Sequence, residues 1–442
     1  MLYQMPKNFL WGAASAAYQV EGGATADGRG PSIWDKFCKK PGVIRNGASG
    51  ENACWSYQRW AEDVALLKNL GVQTYRFSIS WSRVLPEGRG RINEQGMTYY
   101  SRLIDALLKN KIQPYVTLYH WDLPQALEDQ GGWQSRATAG AFAEYAALMV
   151  QRFGDRVKNW MTFNEIPTGI GKGYERGIYA PGLQVKPKPL AQIYHHVLLA
   201  QGLGILAMRA TRRGLKIGIA HDPTTPVPVI EDAAHIAACT VAYERLNAFL
   251  MDPMFHGTYP KFLPVFPAVR TGDMKIIAQP LDFFGLNIYS GVYTEPAPGK
   301  EKYRLVKFPM HYPTAEGLDW LRFIPQSLYW ATRHLHTRYG AKNIFITENG
   351  WSSDRQRDEA DWCNDVDRIL YLRCYLRELQ HAIRDGIPVR GYFLWSLLDN
   401  FEWASGYTKG LGLYFVNHKT GARRAKRSAG WYKAVIRANE IL

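Results

Sequence analysis

Two glutamates end short apolar runs that lie far apart in the chain, in Thr162-Phe163-Asn164-Glu165 and in Ile346-Thr347-Glu348-Asn349-Gly350. The preceding residues, 160–163 and 344–347, are rich in β-branched and aromatic types and read as buried strands. A strand that finishes in a carboxylate puts an ionisable group where a barrel or sheet opens to solvent. Paired carboxylates at such an opening can divide the cleavage of a glycosidic bond, one acting as acid and one as nucleophile. A single glutamate after a strand is more often structural or solvated. Two of them, each beside an asparagine, point to catalysis.

The elements that must position this pair alternate along the whole chain. Apolar strand candidates span residues 9–14, 74–80, 113–120, 159–165, 216–222, 282–289, 343–349 and 389–400. Helical periodicity fills residues 55–70, 99–110, 138–153, 190–213, 233–251, 325–339 and 366–385. Eight strands with helices between them predict an α/β fold, one (β/α)8 TIM barrel spanning residues 1–442 as a single domain. Catalytic groups then belong at the C-terminal strand ends. Three long irregular stretches, residues 22–50, 169–189 and 289–321, are expected as loops above that face.

Other residues at the same strand ends suit a sugar. They are Gln19, Arg76, His120 with Trp121, Asn164, Asn287, Tyr289, Trp395, and Glu402 with Trp403. A pyranose needs aromatic faces for its C–H surface and amide, imidazole and carboxylate groups for its hydroxyls. A lone Trp or His of this kind is usually core, whereas their convergence on one face is not explained by packing.

Composition bounds the remaining classes. The 442 residues are 46% hydrophobic and 13% aromatic, enough for an extensive core. No run of about 18 apolar residues marks a membrane span. The opening Met1-Leu2-Tyr3-Gln4-Met5-Pro6 lacks the layout of a secretory signal, and five scattered cysteines include no C-x-x-C pair. A reduced, cytoplasmic protein is the expectation. The net charge of +15 is densest at Arg423, Arg424, Lys426 and Arg427. With no nucleic-acid module around them, these are expected to be a solvated basic surface and not a nucleic-acid contact. His195 and His196, adjacent on a helix, point in different directions and make a poor metal pair.

The segments Tyr75-Arg76-Phe77-Ser78-Ile79-Ser80-Trp81, Tyr119-His120-Trp121-Asp122-Leu123-Pro124, Thr162-Phe163-Asn164-Glu165, Thr347-Glu348-Asn349-Gly350 and Asp399-Asn400-Phe401-Glu402-Trp403 together carry a family resemblance. The chain resembles family-one glycoside hydrolases, the retaining β-glucosidases and related β-glycosidases, closest to the bacterial type, over nearly its whole length. The resemblance implies Glu348 as nucleophile and Glu165 as acid and then base, with Arg76 and Tyr289 supporting Glu348. It implies that Gln19, His120 and Glu402 bind distal hydroxyls, that Trp403 donates its indole N–H, that Asn164 holds the 2-hydroxyl and that Trp395 floors the site. Trp121, Asn287 and Tyr289 complete the substrate-binding set. The expected ligands are small β-glycosides or cello-oligosaccharides, cleaved at a terminal β-D-glucosyl residue, or a β-galactosyl or β-fucosyl one. No metal or organic cofactor is implied, and homo-oligomer formation is left open.

Departures from the family pattern concern the leaving group. Ile166-Pro167 follows Glu165, and Gly169, Gly171 and Gly173 are expected to loosen the adjoining loop. His221, Trp351 and Lys409-Gly410-Leu411 also differ. Three other readings share parts of the pattern. A 6-phospho-β-glycosidase carries a Ser, Lys and Tyr set where this chain has Glu402-Trp403. A plant-type thioglucosidase usually lacks the acid glutamate, and a non-catalytic sugar-binding barrel typically loses one of the pair.

Overall fold

The computed structural model describes residues 3–354 and 359–442, so Met1 and Leu2 of the amino-terminal stretch lie outside it. Its centre is a closed barrel of eight strands. These are β1 (Leu10–Ala14), β2 (Thr74–Ser78), β3 (Gln113–Tyr119), β4 (Asn159–Asn164), β5 (Lys216–His221), β6 (Phe283–Asn287), β7 (Ile344–Glu348) and β8 (Val389–Trp395). Each pairs in parallel with its successor, and β8 pairs with β1 to close the ring. All eight strands predicted from the sequence are present, most of them shorter at their C-terminal ends than their apolar runs suggest.

The outer ring is built from α1 (Ser56–Leu70), α2 (Glu94–Lys109), α3 (Ala137–Phe153), α4 (Pro187–Thr211), α5 (Ala233–His256), α6 (Ser327–Tyr339), α7 (Val366–Arg384) and α8 (Arg427–Ala438). Helix α4 is long and apolar enough to cross a membrane, but 67% of its apolar window is buried within the protein. Helix α8 is an addition to the seven helices read in the sequence. It fastens the end of the chain to its beginning: Tyr432 Oη donates to Gly12 O at 2.7 Å, and Trp11 Nε1 donates to Asn439 Oδ1 at 2.9 Å.

The barrel interior is plugged by Ala14, Tyr115, Met161, Ala220, Phe283, Phe345, Phe393 and Trp395, contributed by seven of the strands. The Tyr115 ring meets those of Phe283, Phe345 and Phe393 at 6.0, 5.7 and 5.0 Å. This aromatic layer closes the barrel below the site, leaving polar side chains to the C-terminal end.

Two strands break their alternation there. In β4 the pairing shifts register between Met161 and Asn164, and in β7 between Ile346 and Glu348. Strict period-two alternation sends residues three apart to opposite faces. Yet Met161 and Phe345 lie in the interior plug, and Asn164 and Glu348, three residues later, still turn into the barrel mouth. Local irregularities of this kind re-aim side chains next to active sites.

The long stretches above the barrel are more ordered than the sequence suggested. Residues 22–50 hold a helix at Ile33–Phe37. Residues 289–321 contain strands Val292–Pro296, Tyr303–Leu305 and Thr314–Ala315, and Leu318–Arg322 begins within them. Residues 166–175 form a helical turn followed by a π-helical one, so the expectation of a loosened loop is corrected. Two of the three glycines, Gly169 and Gly173, serve close packing instead. A Cβ on Gly169 would meet the Trp121 ring at 2.7 Å, and one on Gly173 would meet Ala180 O at 2.4 Å.

The basic cluster is also corrected. Lys426 is buried and its ammonium donates to Asp399 Oδ1 at 2.7 Å, while Arg423 is buried against Asp63 at 3.0 Å. Arg424 reaches Glu359 at 3.3 Å on the surface. Two of the four cations are therefore buried in ion pairs and not solvated, Lys426 tying the start of α8 to the last barrel loop and Arg423 tying the preceding segment to α1. Asp399 further accepts Gly412 N at 2.8 Å. Asp399→Ala would leave the Lys426 charge buried without its counter-ion, a loss of about 3–5 kcal/mol. Thermal unfolding should show a lower midpoint for Asp399→Ala, and adding Lys426→Met should recover part of the loss. A single variant as stable as the parent would refute the role of this pair.

Candidate active site

The C-terminal barrel mouth opens into a cavity of about 210 Å³ that both glutamates line. Glu348 ends β7 and is buried beside the guanidinium of Arg76 from β2, whose Nη1 donates to its Oε1 at 2.5 Å. Tyr289 Oη donates to the other oxygen at 2.8 Å. Arg76 also donates through Nη2 to Asn164 Oδ1 at 2.6 Å and through Nε to Thr117 Oγ1 at 3.1 Å. One cation thus spans strands β2, β3, β4 and β7.

Glu165 follows β4 in the left-handed region (φ +45°, ψ 64°), which a non-glycine residue adopts only when its surroundings hold it there. Its Oε1 accepts from Asn287 Nδ2 at 2.7 Å. The same amide donates to Asn164 Oδ1 at 2.9 Å, and Asn287 Oδ1 accepts from Thr347 Oγ1 at 2.6 Å. Asn287 therefore ties the two glutamate-bearing strand ends together with every polar atom of its side chain.

These surroundings set the two glutamates apart electrostatically. Burial pushes the Glu165 carboxyl well above the ordinary range, and the negative charges of Asp222 and Glu348 push it further. Burial also raises Glu348, but Arg76 and the Tyr289 hydroxyl pull it back. With a cation in direct contact, Glu348 is the carboxyl that ionises, and Glu165, offered a neutral amide, is the one that keeps its proton.

Toward the far side of the cavity lies a second group of buried polar side chains. Burial and the Arg76 charge drive His120 well below the usual imidazole range, so the ring is neutral. Asn164 Oδ1 accepts from Arg76, which makes its Nδ2 the donor that faces His120 Nε2 at 3.0 Å. His120 Nδ1 then carries the proton, and it is buried without a protein partner. Gln19 donates to Phe401 O at 2.9 Å and to Glu402 Oε2 at 3.4 Å, while its Oε1 is buried without a partner. Buried polar atoms in proteins are normally paired, so unpaired ones beside a cavity fit a hydroxyl-bearing ligand. Glu402 is pushed up to about 7 by burial, opposed by the charge of Lys172.

Aromatic rings frame these groups. Trp395, at the end of β8, stacks against His120 with ring centres 5.8 Å apart. Trp403, at φ +48°, packs 4.4 Å from Trp34 and 4.6 Å from Trp121. Trp121 donates its indole N–H to Asn164 O at 2.9 Å, fixing the backbone beside the acid.

The residues named in the sequence as catalytic or sugar-binding converge here, with Gln19 and Arg76 just behind the cavity lining. Sequence reading missed Thr168, Lys172, Tyr179, Asp222 and Trp320, which also line the cavity. Asp222 follows directly after the end of β5, the place where a polar residue signals a site; His221 was noted there instead and is buried against Phe284. Trp351, expected near the leaving group, packs 4.9 Å from Tyr371 and donates to Asp367 at 3.0 Å, away from the cavity. Lys409 donates to Glu316 O at 3.1 Å, and Leu411 alone of its segment lines the cavity. His195 bonds Tyr259 and Asp273 while His196 bonds Trp133 O and Gln192, so the adjacent rings serve separate networks. Among the described residues, no group of three His, Cys, Asp or Glu side chains is arranged to hold a metal ion.

Comparison with known proteins agrees with this geometry. The chain is 40% identical to Beta-glucosidase A of Thermotoga maritima over 447 residues, covering 99% of each protein. It is 39% identical to a 1,4-beta-D-glucan glucohydrolase of Thermotoga neapolitana, again over 99% of both. The structure of the Thermotoga maritima enzyme with galacto-hydroximolactam superposes with a TM-score of 0.91 at 39% identity, covering 100% of both chains. The sequence profile of Glycosyl hydrolase family 1 matches residues 1–441, and the chain belongs to that family of retaining glycosidases.

Proposed function

We propose that this retaining β-glucosidase attacks the anomeric carbon with Glu348 and protonates the departing oxygen with Glu165. The observation that carries the assignment is the unequal company of the two carboxyls. Glu348 has a guanidinium and a phenol hydroxyl, which keep it anionic and aimed. Glu165 has a neutral amide and negative neighbours, which keep it protonated. When Glu348 becomes an ester its charge is lost, the repulsion on Glu165 falls, and Glu165 can take a proton from water in the second displacement. Two inversions return the β configuration.

The glycone is held with Trp395 as floor, Asn164 on the 2-hydroxyl, and Gln19, His120, Glu402 and Trp403 on the distal hydroxyls. Glu402 in this place disfavours a phosphorylated sugar, because a carboxylate repels phosphate. The glucan glucohydrolase relative supports cello-oligosaccharides as substrates, and the galacto-configured ligand of the other relative supports tolerance at the 4-hydroxyl.

Removing each glutamate distinguishes the roles. Glu348→Gly should abolish hydrolysis, and azide admitted to the space should restore turnover of an activated glucoside as the α-glucosyl azide. A β-azide would move the nucleophile elsewhere. Glu165→Ala should slow cellobiose by about 10²–10⁴-fold, the scale of a lost general acid, and slow dinitrophenyl glucoside far less in its first step. Equal losses on both substrates would indicate a positional defect and remove Glu165 from the role.

The pH profile follows from the same charges. Activity requires Glu348 ionised, so kcat/KM falls as acid protonates it. Activity requires Glu165 protonated, so kcat/KM falls as pH rises through its raised pKa. Asp222, pushed up to about 7 by burial, gains its charge around neutrality and helps Glu165 keep its proton there. Asp222→Asn removes that help, so the alkaline limb should move to lower pH. An unmoved or raised alkaline limb would show that Asp222 does not act on Glu165.

A further inference from the structure

The cavity wall carries a cation that double displacement does not use. Lys172 sits on the π-helical turn Gly171–Glu175, half-buried at the cavity mouth. Its hydrogen-bond partner among the described residues is Tyr179 Oη at 3.3 Å, and its ammonium lies 4.6 Å from the Tyr179 ring centre. An ammonium has three N–H donors, so most of its donor capacity is left for the cavity. Burial lowers the Lys172 pKa, the carboxyl groups of Glu165, Glu402 and Asp222 offset this in part, and none of them bonds to the ammonium directly. Glu165 is the protonated member of the catalytic pair, and Asp222 and Glu402 are both pushed up to about 7, so these neighbours neutralise Lys172 only in part.

Across the mouth stands Trp320, from the strand Leu318–Arg322. It is 46% exposed, and its ring centre is 6.0 Å from the Lys172 ammonium. It packs edge-on against Tyr289 at 5.7 Å, the same tyrosine that holds Glu348. A glycosidic oxygen placed at Glu165 directs its aglycone outward past Lys172 and Trp320, which line the same cavity. An exposed indole face suits an aromatic ring, and a part-desolvated ammonium with spare donors suits an anion.

We infer that Lys172 and Trp320 form an aglycone clamp that selects β-glucosides whose leaving group is an aromatic ring bearing a carboxylate. This rests on the reading of Glu165 and Glu348 given above and adds the class of aglycone. The chain's net charge of +15 favours the approach of such anions.

The test compares kcat/KM for 4-(carboxymethyl)phenyl and 4-(carbamoylmethyl)phenyl β-D-glucosides. The methylene insulates the phenol, so the two leaving groups differ in side-chain charge and little in acidity. The parent enzyme should favour the anionic substrate by about tenfold, the scale of one hydrogen bond to a charged group. Lys172→Met should bring the ratio to about one, and Lys172→Arg should keep a preference. A ratio takes out any common effect of the substitution on Glu165 or Glu402. A parent ratio of one, or a preference that survives in Lys172→Met, would overturn the inference while leaving the catalytic reading intact. If neither substrate is cleaved, the catalytic reading fails and takes this inference with it. Should Lys172→Met fail to fold, the parent ratio at low and high salt decides. It should fall toward one as salt screens the charge, and a salt-independent ratio would overturn the assignment.

Discussion

A guanidinium buried at the top of the barrel organises everything around it. Arg76 is almost fully enclosed, and an isolated charge there would be prohibitively costly. It is stable because Glu348 supplies the opposite charge and because Asn164, Thr117 and the Thr347 carbonyl accept from three more of its five donors. The arrangement runs both ways. Glu348 can be a buried anion only beside Arg76, and Asn164 turns its amide N–H toward His120 because its carbonyl oxygen is occupied. Electrostatic preorganisation in this site is therefore already contained in the resting protein, with no charge waiting for the ligand to define it.

The backbone around this centre departs from regular geometry where function requires it. Glu165, Trp121 and Trp403 all have positive φ without being glycine. Such conformations cost on the order of 1–3 kcal/mol each and persist where packing overdetermines them. Here the determinants are visible: Glu165 N donates to Ala220 O at 2.8 Å, Trp121 is pinned through Asn164 O, and Trp403 is wedged among Trp34, Trp121 and Tyr18. The glycines beside the acid belong to the same scheme, since they let Trp121 and Ala180 approach the helical turn that carries Lys172.

Most of the site was legible in the sequence, for a physical reason. Catalytic groups in a (β/α)8 barrel must follow apolar strands, so Glu165, Glu348, Arg76, His120 and Asn287 announce themselves by position. Most of the residues that escaped, Asp222 apart, lie where that rule gives no guidance. Lys172 and Trp320 come from segments above the barrel whose small helical turn and two-stranded ribbon carry little periodic signal. Asp222 was obscured by its neighbour His221, because alternation alone does not say which of two residues at a strand end faces inward. The register shifts in β4 and β7 make the same point, for simple alternation would have turned Asn164 and Glu348 out of the barrel. Lys426 looked like part of a solvated basic run, since no local pattern reveals that Asp399 waits for it across the fold.

The pairing of β1 with β8 has a consequence in time as well as in space. Strand β1 ends at Ala14 and its partner begins at Val389, so the ring cannot shut until nearly the whole chain has left the ribosome. At roughly 5–20 residues per second, the leading strand spends about 20–75 s with one edge unclaimed. Arg76 on β2 likewise lacks Glu348 until β7 is made, and the unpaired strand edge stays open to other chains until β8 follows. The arrival of β8 ends that interval, and α8 then clasps the closed ring through Tyr432 and Gly12.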